Sequence, residues 1–392
     1  MKKICCIIMA TLTVALAHAQ VHQSGTGGEN DEVKSLTDRV LKIEQHNRML
    51  NVYFNYSAAG ATENNSADDQ WSSRFYTKSI QLEVKGDLTD KLFYRFRHRL
   101  NRSNAAGGTD NFARATDFMM IGYHLSKKFT VRAGKMTQMW GGFEFDLNPM
   151  YIYQYSDMGD HMDSHQTGVT LSYFPSPSQE VAVEVSDNFC GSLEEMMPGT
   201  TQQGIKKART PLTYIVNWNG NFADNRFQTR WAVGLQTLAE HKHSRKITLG
   251  CKLNLPKLQW YVDYMADFSG LDRMGIASKE LKSFLPEGHT YFSDVHYNSW
   301  ISKVDWRMAK NWNVWAKGMM ETASLPHVEG LSTYRHAWGY MGGIEYYPDL
   351  TQDFRVSLSY IGRRYAYNKA SGLNNFNTNR IELGFMYRIK CF

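Results

Sequence analysis

Cysteine is scarce. The 392-residue chain holds five, and Cys5 and Cys6 lie at its very start. The other three, Cys190, Cys251 and Cys391, are widely spaced and odd in number, so neither a disulfide framework nor a CxxC metal site is expected. Cys251 and Cys391 fall in phase with apolar neighbours and read as small hydrophobes. Long apolar runs are missing too. After Gln20 no stretch reaches 18 apolar residues, which excludes helical membrane spans. Charge of one sign is also weak. The formal net charge is +6, two units of it from Lys2 and Lys3, too mild to argue for nucleic acid. Aromatics, at 13%, are plentiful. Apolar surface is therefore present, but it is spread in alternation rather than gathered into runs.

The N-terminus carries a processing signal. Lys2 and Lys3 precede an apolar stretch from Ile4 to Leu16, and Ala17-His18-Ala19 forms a small-x-small cleavage pattern before Gln20. Residues 1–19 read as a secretory signal peptide. The apolar stretch is short of the ~20 residues a spanning helix needs. Cys5 and Cys6 come too early for lipid attachment.

Residues 20–50 read as a periplasmic spacer and a coiled coil. After "SGTGGEN", Val33, Leu36, Val40, Ile43, Asn47 and Leu50 recur at spacings of 3 and 4, the a and d positions of a heptad. Asn47 is the polar a residue that fixes register, and Arg39 and Glu44 fall at g and e, where they pair between helices. "RVLKIE" resembles a pattern associated with three-stranded coils. So short a helix is marginal alone. The alternatives are a trimeric coil held by a trimeric body, or one amphipathic helix packed on the main domain.

From residue 51 to 392 the period changes to 2. Val52-Phe54-Tyr56, Ile80-Leu82-Val84, Met119-Ile121-Tyr123-Leu125, Val181-Val183-Val185 and Ile381-Leu383-Phe385-Tyr387-Ile389 are clear cases. Short turns such as "GDLTD" and "PDLTQ" alternate with long polar segments such as 102–113, 137–165, 188–209 and 270–294. That alternation is expected of a transmembrane antiparallel β-barrel, all-β, with periplasmic turns and extracellular loops. The sheet must close, because hydrocarbon offers backbone groups no partner. About sixteen strands fit. The last ends at Phe392, a C-terminal aromatic of the kind read by the barrel-assembly machinery. The expected place is the outer membrane of a Gram-negative bacterium, in contact with its lipid.

At this point the chain resembles the phosphate-selective porin O and P family, in a Bacteroidota-type form. The residues that carry the resemblance are the signal peptide, the coil, the hairpin array, "RAGKMTQMWGGFEFD" leading into a long third loop, and the terminal Phe. The resemblance implies a sixteen-stranded homotrimeric channel with an inward-folded third loop and a basic interior for anions. One departure stands out. The loop from Thr137 to His165 holds Glu144, Asp146, Asp157, Asp160 and Asp163 and no Lys or Arg, where a phosphate filter would place cations.

If the apolar phase faces lipid, the other phase faces water. It places Lys85, Arg95, Arg97, Arg99, Arg132, Arg230, Lys252, Lys303, Arg307, Lys317, Arg355 and Arg388 inward, against Glu83, Glu184, Asp263, Asp267, Asp305, Glu321, Glu345 and Glu382. Rings of charge set ion preference in pores. Arg95, Arg97 and Arg99 on "KLFYRFRHRL" form either an anion-attracting ladder or a solvated face balanced by acids. "DMGDHMDSH" offers Asp157, Asp160, His161, Asp163 and His165 as divalent-cation ligands, or simply a polar loop, and the latter reading is preferred. No cofactor is implied. The expected function is a passive channel for small hydrophilic solutes, anion-leaning with phosphate as a candidate anion, and not an enzyme. The alternatives are a structural or adhesion barrel and a barrel enzyme using His289, His296, His327 or His336.

Overall fold

The computed structural model describes residues 48–391 apart from 69, 108–109 and 163. The signal peptide, the heptad positions Val33 to Asn47, Asp163 and Phe392 lie outside the described residues. Leu50, the last heptad residue, is described and exposed.

Sixteen antiparallel strands close into one barrel. In chain order they are Asn51–Asn65, Gln70–Asp87, Leu92–Arg99, Thr116–Ser126, Phe129–Thr137, His165–Ser176, Gln179–Asp187, Leu212–Phe222, Phe227–Ala239, Lys242–Asn254, Leu258–Ser269, Val295–Ala309, Trp312–Ser324, Arg335–Tyr346, Asp353–Tyr367 and Phe376–Lys390. Each pairs with the next. The first pairs with the last, from Tyr53 opposite Lys390 to Asn65 opposite Thr378, so no sheet edge is left along that seam.

Alternation decides which face is which. Val181, Val183 and Val185 are exposed, while Ala182, Glu184 and Ser186 between them are buried. Apolar side chains outside and polar ones inside invert the usual globular arrangement, as lipid demands. Aromatic pairs gather near the short-turn end: Phe129 with Tyr173, Trp218 with Trp231 and Trp312 with Tyr346, at centroid separations of 4.9, 5.1 and 4.6 Å. Such rings suit the membrane–water boundary.

Two irregularities position the rest. Leu92–Arg99 has only 8 residues and meets the preceding strand over Gln81–Asp87 alone. The outer half of Gln70–Asp87 therefore pairs only with the first strand, and Phe75 there is 94% exposed. In Leu92–Arg99 the register also shifts between Arg97 and His98. The sequence phase turns His98 to lipid. His98 keeps that phase, opposite Leu82 and stacked on Phe96, and its ring nitrogens meet Thr116 Oγ1 at 3.1 Å and Asn104 Oδ1 at 2.8 Å, the extra residue of the shift being Asp117 on the facing strand.

Candidate functional site

The long connection after Phe129–Thr137 enters the barrel. Gly141 and Gly142 make this possible. Both have positive φ, and a Cβ on Gly141 would lie 3.0 Å from the Arg230 carbonyl oxygen. The backbone then runs along the far wall, where the Gly142 amide donates to that same carbonyl at 3.1 Å. The Asp263 carboxylate accepts from the Phe143 and Glu144 amides at 3.0 and 2.8 Å, satisfying the orphan donors that open the short helix Phe143–Asp146.

The loop acids do not stand free in the interior. Glu144 pairs with Lys317 and accepts from Ser156 Oγ at 2.5 Å. Asp146 lies 3.4 Å from Arg230 Nε. Asp157 lies 2.6 Å from Arg335 and 2.9 Å from Arg363, and its amide donates to Glu321 at 2.5 Å. Burial alone would raise the Asp157 carboxyl, but Arg363 and Arg335 outweigh it and hold it below the usual carboxylate range. Asp160 is exposed. Glu144, Asp146 and Asp157 are therefore matched by cations of the wall, while Asp160 faces the cavity.

Aromatic contacts finish the anchoring. Tyr153 stacks on Trp315 at 4.5 Å and donates to Glu345 at 2.9 Å, and Tyr151 donates to Asp353 at 2.7 Å. Trp140, fully buried, fills space left by Gly234 on the wall. Met139, Phe143, Met150 and Met158 join inward wall residues such as Ile215, Tyr261, Ile301 and Met341 in one apolar cluster. So the interior is not polar throughout. It holds a core on the side where the loop is fastened.

The opposite side is different. Between the loop and the strands Leu92–Arg99, Thr116–Ser126 and Phe129–Thr137 lies a cavity of about 400 Å³. Arg99, Arg102, Arg114 and Lys135 line it against Asp117 and Asp160, with Tyr155, His161 and His165 on the loop side. Just beneath, four guanidinium groups share two carboxylates. Arg95 and Arg388 lie 2.8 and 3.4 Å from Glu83, and Arg97 and Arg99 lie 2.9 and 2.6 Å from Asp117. Arg95 and Arg97 also sit over the Phe118 ring at 4.1 and 4.8 Å, a favourable cation–π geometry.

The twelve cations expected inside all lie in the inner phase, yet their state needs correction. They are not simply solvated. Arg97, Arg132 and Arg230 have under 2% exposure, and Lys252, Lys317, Arg307 and Arg355 are also buried. Lys303 pairs with Asp305 at 2.9 Å, and Lys85 sits over Tyr53. Arg335, Arg363 and Arg380, which hold the loop, escaped the sequence reading. Trp338 and Tyr340, in phase with Ile344, would have turned Arg335 inward, and the Val356-Leu358-Tyr360 phase extended by three residues does the same for Arg363. The metal reading of "DMGDHMDSH" is not assembled among the described residues. Asp157 is committed to arginines, and His161 Nδ1 meets the Asp157 carbonyl at 3.0 Å. His289, His296 and His336 contact Gln203, Phe268 and Trp338 respectively.

No curated protein matches the sequence. Solved structures share the fold at low identity. The outer-membrane channel DcaP of Acinetobacter baumannii superposes with TM-score 0.58 at 11% identity, covering 87% of this chain and 97% of that one. An anion-selective porin from Comamonas acidovorans gives 0.53 at 12%, covering 87% and 99%. A trimer form of OmpT from Vibrio cholerae gives 0.51 at 12%, covering 87% and 100%. The profile of phosphate-selective porin O and P matches residues 50–389, and the chain belongs to that family, an outer-membrane porin of a Gram-negative bacterium.

Proposed function

We propose that the protein conducts small hydrophilic solutes passively and prefers anions, phosphate among them. The observation that carries this reading is the two-to-one ratio of Arg95, Arg97, Arg99 and Arg388 to Glu83 and Asp117, beside a basic cavity. Three loop carboxylates that would oppose an anion preference, Glu144, Asp146 and Asp157, are spent on Lys317, Arg230, Arg335 and Arg363, which leaves Asp160 among the described ones facing the cavity. A surplus of fixed positive charge in a narrow, low-dielectric passage raises the local anion concentration. The Comamonas acidovorans porin of similar fold is anion-selective, which points the same way.

The reading includes a homotrimer, with residues 33–50 forming a three-stranded coil on its periplasmic side. Support comes from the heptad spacing, from the trimer form of one relative, and from the outer half of Gln70–Asp87 with its exposed Phe75. A second reading, a structural barrel closed by its own loop, draws on the apolar cluster that occupies part of the interior. Planar-bilayer recording separates the two. Stepwise ohmic conductance supports the channel, and silent insertion supports the closed barrel.

A further inference from the structure

The membrane-facing wall is not uniformly smooth. Across Gln179–Asp187, Leu212–Phe222, Phe227–Ala239 and Lys242–Asn254 lies an apolar groove of about 550 Å³. Its floor is a row of valines in register: Val183 opposite Val216, and Val216 opposite Val233. Two residues further toward the loop end, a second row in register stands higher: Tyr214, Leu235, Arg245 and Phe268. Short branched side chains below and long ones above make the depression.

Arg245 is the anomaly. It is exposed on the lipid-facing phase, between Leu235 and Phe268, and makes no ion pair with any described residue. A lipid-facing arginine is costly at the membrane midplane and tolerated near the interface. Its strand begins at Lys242, just past the tight turn after Ala239. Arg245 therefore sits at headgroup height. Above it the rim carries more exposed cations than acids, Glu240 being the acid among them. The Glu240 amide donates to the Lys206 carbonyl at 2.9 Å, which brings the loop carrying exposed Lys206, Lys207 and Arg209 to the same edge.

We propose that this face binds an anionic, phosphate-bearing lipid of the outer leaflet, with an acyl chain over the valine floor and the phosphate at Arg245 and the rim lysines. The charge complementarity argues for lipid over a second copy of the chain. The exposed Phe75 edge belongs to a distant sector of the barrel wall.

Native mass spectrometry of the purified full-length protein tests this, with diphosphorylated lipid A and its dephosphorylated form as probes. The wild type should retain the phosphorylated lipid and lose about fivefold on dephosphorylation, the factor one near-surface cation is worth. Arg245→Gln, an exposed change that leaves the fold alone, should lose a similar factor for the phosphorylated probe only. Val233→Trp, filling the floor, should weaken both probes, and Lys206→Gln with Lys207→Gln serves if that variant assembles poorly. Equal retention of the two probes, or no loss in Arg245→Gln, overturns the proposal.

Discussion

Asp157, on the inward loop, accepts a hydrogen bond from Arg335 of the far wall at 2.6 Å, and Arg363 reaches the other carboxylate oxygen at 2.9 Å. One carboxylate thus ties the loop to two strands. Removing one partner of a buried ion pair costs about 3–5 kcal/mol, because the other charge is left buried. Here Glu280 and Glu321 also neighbour the two arginines, so the lower end applies. Asp157→Asn should destabilise the loop by about 3 kcal/mol and add open-channel noise in single-channel recordings. A quiet trace identical to wild type would show that the pairing does not hold the loop.

The same contact sets a pH dependence. Asp157 is held below its ordinary value by the two arginines. Its contribution is therefore complete above the unfolded carboxylate value of about 3.9 and fades as pH falls below that toward the depressed one. Conductance should be steady from pH 7 to 5 and become noisy only below about pH 4. Noise that grew between pH 7 and 5 would show that the Asp157 pairing does not set the dependence.

Gly234 is inward-facing, and a Cβ there would come within 2.6 Å of the Trp140 ring. Gly234→Ala must push Trp140 and the loop with it. Overpacking of this kind costs about 1–3 kcal/mol. Urea titration of the vesicle-folded protein should show a lower midpoint for Gly234→Ala, while Gly318→Ala, with open space around it and no positive φ, should show none.

The trimer can be tested at two separate places. Phe75→Glu places charge on the exposed outer half of Gln70–Asp87, and Val40→Asp with Ile43→Asp disrupts the heptad core. Either change should shift the protein toward monomer on native gels, the coil variant more weakly, since a coil of under three heptads is marginal by itself. A monomeric wild type would refute the assembly outright.

Much of the barrel was legible in the sequence because a period of 2 with one lipid face is a strong constraint. Val181-Val183-Val185 and Ile381-Leu383-Phe385 reveal their faces without any tertiary information. The state of the interior was not. Phase says that Arg97 and Asp157 point inward, but it does not say that Arg97 meets Asp117 across a strand pair, or that Asp157 crosses the barrel to Arg335. Those partners are 20 and 178 residues away. His98 keeps the outward phase of its strand, and what alternation does not reveal is the bulge at Asp117 on the facing strand, which brings Thr116 to its ring. "KLFYRFRHRL" thus resolves into Arg95, Arg97 and Arg99 sharing Glu83 and Asp117 with Arg388.

That cluster makes the central claim measurable. Arg99 lines the 400 Å³ cavity, whereas Arg97 is fully covered. In a tenfold potassium chloride gradient across a planar bilayer, the wild-type reversal potential should have the sign of chloride permeation. Arg99→Gln should move it toward zero, and Arg97→Gln should move it less. A wild-type potential at zero or of the potassium sign would contradict the account.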